Sequence, residues 1–325
     1  MQVDTRSLKI DLSYTMKNRL EDRIYTYSEY IKKKYSQKAY RVGLSTGIVC
    51  PHRKKSGGCI FCNPASFIDE YQNRFSDINK QIDEGIKKIE DCCGKGLMIA
   101  YFQDETSTAG DLEVLKQKFT TAIKHPRISA MVISTRPDYI NTDVIRMLKS
   151  LNYDISVEIG MQTIFDRSLE FLNRGHNFEQ TKHAIELLGK NKIPVGVHLI
   201  LGIPNETIED MIKTVTYVSE NPYIKEIKFH NLVPYKNTKY GEMILKGKVK
   251  PYLIKEHIEN LSELIPYIRG DIVISRLFTS NIRNTHLNIL KFEGNKTKWM
   301  NELRKILIEK NIVQGMKTNR IYEKR

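Results

Sequence analysis

The sequence lacks any apolar run long enough to cross a bilayer, and its first residues contain no apolar core of a secretory signal. A membrane-spanning helix needs about 20 apolar residues, and an export signal needs its own apolar stretch. We therefore expect a cytoplasmic protein with no membrane partner. Cysteine is also scarce, at five of 325 residues. Because that number is odd and three of the cysteines lie close together, reduced thiols are favoured over a disulfide framework.

The sequence also lacks internal repeats, low-complexity linkers and a Gly-x-Gly-x-x-Gly turn after its first predicted strand. Short apolar runs alternate with helical periods along most of the chain. Such a series predicts parallel strands with right-handed crossovers, either in a barrel or in an open doubly wound sheet. The missing glycine turn disfavours a nucleotide-binding sheet. The predicted strands are Arg41–Ser45, Leu97–Phe102, Ile128–Ser134, Asp154–Gly160, Pro194–Leu201 and Glu226–Leu232.

Polar or glycine-containing residues follow the predicted strands one after another. In (β/α) barrels the chemistry lies at the carboxyl ends of the strands, so this pattern favours an α/β fold with a partial (β/α)6 TIM-like barrel over residues 41–235. A basic, tyrosine-rich segment (1–40), helical across Glu21–Lys34, would precede the barrel. A small C-terminal extension (236–325) would follow, with a possible strand at Asp271–Ser275 and a helix around Trp299–Glu309.

Three cysteines, Cys50, Cys59 and Cys62, stand within thirteen residues. Clustered thiolates bind iron–sulfur clusters or zinc. Structural zinc sites and electron-carrying clusters are normally closed by four protein ligands, whereas three ligands leave one metal position open for chemistry. Gly57 and Gly58 would let the backbone fold tightly around inorganic sulfur.

Zinc is the alternative, because His52 lies between the cysteines and completes a Cys3His set. The Cys-x-His spacing is tighter than in the usual zinc pattern. A zinc-stabilised module that binds nucleic acid without catalysis therefore stays open at this point.

The basic residues exceed the acidic ones, 52 to 38, for a formal net charge of +14. Residues 1–41 carry ten basic and five acidic side chains and six tyrosines, which suits phosphate contact and base stacking. The stretch from Lys296 adds nine basic side chains against three acidic. A merely solubilising surface explains the charge equally well.

Several polar residues interrupt the apolar strands. Glu158 points opposite to its neighbours Val157 and Ile159, and a carboxylate inside a barrel is costly unless paired, which favours a functional role. His198 is either a hydrogen-bonded core histidine or a ligand contact. Lys228 and His230 share one face of strand six and are our candidates for substrate contact and catalysis. The pair Cys92 and Cys93 is expected to be buried rather than to bind a second cluster.

Taken together, the sequence resembles the radical S-adenosylmethionine (SAM) superfamily, in particular the branch of YhcC and YtqA type proteins related to the radical SAM half of the Elongator catalytic subunit. The similarity covers nearly the whole chain. The strings that carry it, besides the cysteine loop, are Ile99–Gln103, Ser134–Asp138, Val157–Thr163, Leu172–His176 and His198–Thr207.

This resemblance implies a [4Fe–4S] cluster on Cys50, Cys59 and Cys62, with SAM chelating the fourth iron. It further implies that Phe61 backs the adenine, that Gln103 lies near the methionine amino group, and that Arg174 pairs with the SAM carboxylate. Glu158 and Gln162 would face the ribose or methionine, and Gly202 and Ile203 would line the adenine edge. His198 belongs to the same cofactor-facing set.

The resemblance also implies reductive cleavage of SAM to a 5′-deoxyadenosyl radical, with flavodoxin or ferredoxin as electron donor. Kinship with Elongator predicts tRNA as the partner and the C5 side chain of the wobble uridine as the target, trimmed from carboxymethylaminomethyl to aminomethyl. The alternatives are a radical enzyme that acts on a protein or small molecule, and the zinc module described above.

Overall fold

The computed structural model describes residues 19–74, 77–279, 288–290 and 294–323. Tyr14, one of the amino-terminal tyrosines, lies outside these ranges. Within them, no helix combines the length and apolar character needed to span a membrane.

Seven parallel strands form one sheet, in which each strand pairs with the next along the chain. The sheet curls into a half-barrel, which confirms the predicted fold class. The ends of the six predicted strands differ from the observed ones by two residues at most. The strands are β1 (Ala39–Leu44), β2 (Leu97–Phe102), β3 (Ile128–Thr135), β4 (Ile155–Gln162), β5 (Val195–Leu201), β6 (Ile224–Asn231) and β7 (Val273–Arg276).

Helices precede, connect and follow the strands. They are α1 (Tyr27–Tyr35), α2 (Pro51–Ser56), α3 (Glu70–Arg74), α4 (Ile78–Cys93), α5 (Leu112–Lys124), α6 (Thr142–Ser150), α7 (Asp166–Phe171), α8 (Phe178–Lys190), α9 (Ile208–Glu220), α10 (Lys239–Leu245), α11 (Ile254–Leu264) and α12 (Lys296–Glu309). Short 3-10 turns stand at Leu20–Asp22, Pro64–Ser66, Pro137–Tyr139 and Ile265–Tyr267.

The first helix begins later than the sequence predicted. Its predicted start, Glu21, lies in a 3-10 turn, and Tyr25 instead uses its carbonyl oxygen to accept a hydrogen bond from the Ile274 amide of β7 (2.8 Å). Thr26 then caps the helix, accepting from the Glu29 amide. Pairing with β7 therefore overrides the helical periodicity of the preceding residues. The possible strand at Asp271–Ser275 is observed as β7.

The outward and inward faces of the strands have different partners, because successive side chains point to opposite faces. Met98, Ala100 and Phe102 of β2 point outward into the main core, where the rings of Phe102 and Phe119 meet edge to face with centroids 4.8 Å apart. The alternate residues Ile99 and Tyr101 point inward and belong to a separate cluster.

Helix α1 packs against part of this inner face of the half-barrel. Ile31, 4% exposed, joins Ile99 and Tyr101 in one apolar cluster, and the tyrosines of α1 pack around it. The lysine of α1 nearest its end, Lys34, pairs with Asp154 just before β4 (2.7 Å). The amino-terminal tyrosines that the sequence suggested for base stacking, Tyr27, Tyr30 and Tyr35, are thus used in packing.

The two ends of the described chain are joined by one buried amide. Gln314 is fully buried. Its side chain accepts a hydrogen bond from the Tyr25 amide and donates one to the Ile272 carbonyl, and both donor–acceptor distances are 2.8 Å. The rings of Tyr25 and Tyr322 stack with centroids 5.7 Å apart. The segment that ends in Tyr322 therefore supports the strand β7 and the start of α1.

We predict that Ile31→Ala lowers the free energy of unfolding by about 2–4 kcal/mol, because it leaves a cavity between α1 and the inner face of the sheet. Urea unfolding followed by circular dichroism measures this change. The control is Ile321→Ala, whose side chain is 53% exposed and whose removal should change stability by less than about 0.5 kcal/mol. Equal effects of the two variants would contradict the packing of α1 inside the half-barrel.

Candidate active site

The three clustered cysteines face one cavity at the carboxyl ends of the strands. Cys50 is the last residue of the loop between β1 and α2. The Cys62 amide donates a hydrogen bond to the Cys59 carbonyl oxygen (3.1 Å), which closes a tight turn between these two cysteines. All three line a cavity of about 760 Å³ together with side chains of the barrel interior. This volume is typical of sites that enclose a cofactor or small ligand.

Each of the three sulfur atoms accepts a hydrogen bond. The Thr106 hydroxyl donates to Cys50 (3.3 Å), the Arg174 guanidinium to Cys59 (3.3 Å) and the Arg53 guanidinium to Cys62 (3.4 Å). Burial raises the pKa of the Cys62 thiol to about 12, although Arg53 partly offsets it. A bound metal would supply the positive charge that the Cys62 thiolate needs.

The chemistry of this donor set fits a [4Fe–4S] cluster held by three cysteines. Gly57 and Gly58 both have a positive φ, 76° and 80°, which carries the loop round toward Cys59 without the strain that a Cβ would add. The described residues contain no group of three His, Cys, Asp or Glu side chains that could hold a single metal ion. In a cluster the thiolates bind separate iron atoms, so they need not converge on one point.

His52, the fourth member of the zinc alternative, has other partners. Its Nε2 atom lies 2.6 Å from the Asn173 carbonyl oxygen, and its Nδ1 atom lies 3.0 Å from the Ser56 hydroxyl. The ring also covers Gly175, where an added Cβ would clash with it. His52 therefore fastens the cysteine loop to the segment after α7, which argues against a Cys3His site.

Arg174 is held rigidly beside Cys59. It is 7% exposed, and it donates to the Gly160 carbonyl (2.9 Å) and to Nε2 of His176 (3.2 Å). Burial, with the charge of Arg174, lowers the pKa of His176 to about 2, so His176 is a neutral acceptor. A second buried arginine, Arg136, donates to the Arg174 carbonyl (2.5 Å), a contact that the sequence did not predict.

Deeper in the half-barrel, Glu158 is the centre of a buried polar network that joins five strands. One carboxylate oxygen accepts from Arg41 (2.6 Å). The other lies 2.7 Å from the Tyr101 hydroxyl, 2.9 Å from Nε2 of His198 and 2.5 Å from the Lys228 ammonium. The sequence predicted that Glu158 faces ribose or methionine, but both of its oxygens already have protein partners.

Burial and neighbouring charges shift the pKa values of the members of this network. Burial alone would raise the pKa of Glu158, but the charges of Lys228 and Arg41 outweigh it and hold that pKa well below its usual range. Burial, reinforced by Arg41, lowers the pKa of Lys228 to about 7. Burial likewise lowers the pKa of His198 to about 4, so this ring is neutral. Glu226 pairs with Arg41 at 2.9 Å and adds a second negative charge.

His230 lies next to this network, facing the same cavity. Its ring stacks on that of His198 with centroids 5.1 Å apart, and its Nδ1 atom lies 3.0 Å from the Thr279 hydroxyl. Its Nε2 atom is buried and has no hydrogen-bond partner among the described residues. Burial, together with the charge of Arg276, holds the pKa of His230 well below its usual value.

The structure places the other predicted site residues in two groups. Phe61, Gln103, Gln162 and His198 line the cavity, as Arg174, Lys228 and His230 do. Gln162 has a φ of 70°, an uncommon conformation for this residue type that often marks functional sites. Ten of the thirteen residues that the sequence predicted for the site thus line the cavity.

The second group consists of Gly202 and Ile203, for which the structure shows other neighbours. The ring of Tyr252 packs directly against Gly202, and its nearest atoms lie 2.1 Å from the position that a Cβ on Gly202 would occupy. Ile203 is buried in an apolar cluster that also contains Ile60 and Leu172. Their predicted contact with the adenine edge stays a prediction.

Cys92 and Cys93 do not match their prediction. Both were expected to be buried thiols, and both are exposed. They occupy the last two positions of α4, where the helix ends and its apolar face no longer covers the sheet.

The sequence did not single out Arg41, Tyr101, Glu105 or Arg53. Alternation along the chain gave a signal for the first two. Tyr101 stands two residues before Gln103, which directly follows β2, and Arg41 stands two residues before Gly43 of β1, so each shares a face with a cavity-lining position. No such signal existed for Glu105, whose carboxylate contacts the Cys50 amide and pairs with Arg53 (3.4 Å), because loop geometry alone brings these together.

Comparison with known proteins identifies the family. Residues 44–218 match the Radical SAM superfamily, and residues 224–311 match the Radical_SAM C-terminal domain. The chain belongs to the radical SAM superfamily. Protein YhcC of Escherichia coli is 30% identical over 292 residues, which are 88% of this chain and 92% of YhcC. The resemblance inferred from the sequence is thereby confirmed.

Two further proteins are similar to the chain, one by sequence and one by structure. The tRNA uridine(34) acetyltransferase of Methanocaldococcus jannaschii is 36% identical over 148 residues, or 45% of this chain and 27% of that enzyme. The structure of Methanocaldococcus infernus Elp3 superposes with a TM-score of 0.67 at 21% identity, covering 85% of this chain and 64% of that one. The latter likeness establishes a shared fold.

We predict that Glu158→Gln lowers the free energy of unfolding by about 3–5 kcal/mol, because it leaves Arg41 and Lys228 without their shared counter-charge. Urea unfolding measures the change. The control Glu186→Gln breaks an exposed pair with Lys190 (2.9 Å) and should cost less than about 0.5 kcal/mol. A Glu158→Gln protein as stable as the control would show that the network does not support the fold.

Proposed function

We propose that this protein is a radical SAM enzyme that binds a [4Fe–4S] cluster through Cys50, Cys59 and Cys62. One observation carries the proposal: the three sulfur atoms line the same cavity, each with a hydrogen-bond donor beside it. A set of only three cysteines leaves one iron available to a substrate or co-substrate. Membership of the superfamily supports the same assignment.

The SAM molecule would lie in the cavity above Glu158. Arg174 is proposed to pair with its carboxylate, since a planar guanidinium matches that group and Arg174 already lies against Cys59. Phe61 would contact the adenine face, Gln103 would lie near the methionine amino group, and Gln162 would face the ribose or the methionine. When bound, the cluster and SAM would supply reductive cleavage of SAM to methionine and a 5′-deoxyadenosyl radical. Flavodoxin or ferredoxin would supply the electron.

Lys228 and His230 are proposed to face the substrate. Lys228 is fixed by Glu158 and by the Tyr101 hydroxyl (3.0 Å), and its lowered pKa, about 7, lets its ammonium release a proton near neutral pH. His230 offers to the same cavity an Nε2 atom that has no partner within the described part of the chain. The pair would thus orient a substrate and hold or move one proton.

We infer that the substrate is a tRNA. The similarity to a tRNA uridine(34) acetyltransferase supports this, as does the net charge of +14, which favours binding to phosphate. The half-barrel is open at its edges, so a nucleotide extruded from a loop could enter sideways. Within this proposal, the target is the C5 side chain of the wobble uridine, trimmed from carboxymethylaminomethyl to aminomethyl.

We predict that Cys50→Ala, Cys59→Ala and Cys62→Ala each abolish the cluster in anaerobically purified protein, because two cysteines cannot hold it. Iron and sulfide analysis with visible absorption measures the loss. The controls Cys92→Ala and Cys93→Ala alter exposed thiols at the end of α4 and should retain the cluster. Stoichiometric zinc without iron in the unaltered protein would refute the proposed cofactor.

The substrate proposal is tested by mass spectrometry of tRNA nucleosides from cells with and without the gene. We expect the deletion strain to accumulate a wobble uridine whose side chain retains its carboxymethyl group. Complementation with the unaltered gene should restore the profile, and complementation with Cys59→Ala should not. If no wobble uridine derivative changes, the enzyme acts on a protein or small molecule instead.

A further inference from the structure

The wall of the cavity at β6 and β7 carries positive charge that no described residue neutralises. Arg276, the last residue of β7, lines the cavity and has no hydrogen-bond or ion-pair partner among the described residues. Lys296, at the start of α12, lines the same wall, likewise without a partner in the described ranges. The two carboxylates of the interior network, Glu158 and Glu226, are engaged by Arg41 and Lys228.

Arg276 faces inward and lies near His230. Its Cα atom pairs with that of Lys228 in the ladder between β6 and β7, so it belongs to the inward-facing row that also contains His230 two residues further along β6. The charge of Arg276 is the second cause, after burial, of the lowered pKa of His230. An unpaired guanidinium and a buried, unpartnered ring nitrogen therefore share one part of the cavity wall.

The contact of His230 with Thr279 allows the Nε2 atom to donate a hydrogen bond. The Thr279 hydroxyl lies 3.0 Å from Nδ1, and the Thr279 backbone is held in place because its amide donates to the Asn231 side chain (2.8 Å). If this hydroxyl donates to Nδ1, a neutral imidazole carries its proton on Nε2. The buried atom is then a donor that lacks an acceptor, a costly arrangement unless a ligand supplies one.

We propose that Arg276 and His230 form a subsite that binds an oxyanion of the substrate, a carboxylate or a phosphate. A guanidinium accepts such a group through two parallel hydrogen bonds, and Nε2–H adds a third donor. The subsite lies on the wall that carries Lys228, so it would hold the substrate's anionic end beside the interior network. The role of this subsite in catalysis rests on the proposed function. Its ability to bind an anion rests only on Arg276 and His230 of the cavity wall.

The first test is titration calorimetry of the anaerobic holoenzyme with inorganic phosphate as the probe. We expect Arg276→Gln to weaken phosphate binding by about tenfold or more. Arg276→Lys should recover part of the loss, because it keeps the charge but not the fork. His230→Phe should also weaken binding, while its ring keeps the stack on His198.

The matched control is Arg146→Gln, an exposed arginine on α6 that pairs with Asp143 and lies outside the cavity. It should bind phosphate as the unaltered protein does. Circular dichroism confirms that each variant is folded. The subsite would be overturned if the unaltered protein did not bind phosphate. It would also be overturned if Arg276→Gln and Arg146→Gln bound phosphate with equal affinity.

Two larger probes then distinguish the source of the anion. The nucleoside 5-carboxymethylaminomethyluridine carries a carboxylate but no phosphate, and an unmodified anticodon stem–loop RNA carries phosphates but no such carboxylate. Weaker binding of only one probe by Arg276→Gln identifies that group as the ligand. If phosphate binding depends on Arg276 but neither larger probe is affected, the subsite stands and the proposed tRNA substrate fails.

Discussion

The paired carboxylate of Glu158 is the constraint on which the interior of the half-barrel depends. A buried carboxylate is costly by several kcal/mol unless charged partners compensate it, and here Arg41 and Lys228 approach it from β1 and β6. Tyr101 and His198 add contacts from β2 and β5. One group thus ties together strands that lie far apart around an open sheet, where the backbone ladder alone connects only neighbours.

The same network separates two parts of the interior. On one side, the Tyr27 hydroxyl of α1 accepts from Arg41 (2.9 Å), and its ring lies 4.3 Å from the guanidinium carbon. Helix α1 continues this packing through Ile31. On the other side lies the cavity with the three cysteines. The interior charges therefore form a nearly neutral floor, and the wall at β7 carries Arg276, a positive charge that has no partner among the described residues.

The strands and ten of the cavity-lining residues could be predicted from the sequence, because both depend on local pattern. Alternation along a strand determines which side chains share a face, and polar residues after successive strands mark the rim. This reasoning found Lys228, His230 and Gln103. It failed at Cys92 and Cys93, because a helical pattern does not show where the sheet beneath the helix ends. It also failed at the start of α1, where pairing with β7 could not be read locally.

By itself, the sequence determined the family, the order of strands and helices, and the three cysteines as one site, since spacing and periodicity are properties of the chain. Only the tertiary structure decided what those residues contact. Curvature of the sheet brings Arg41 of β1 to Glu158 of β4, and the ladder to β7 pairs Arg276 with Lys228, in the inward-facing row that also contains His230. These contacts depend on the total curvature of the sheet. That curvature is the sum of small rotations between seven strands, so it cannot be predicted from the sequence of any one segment.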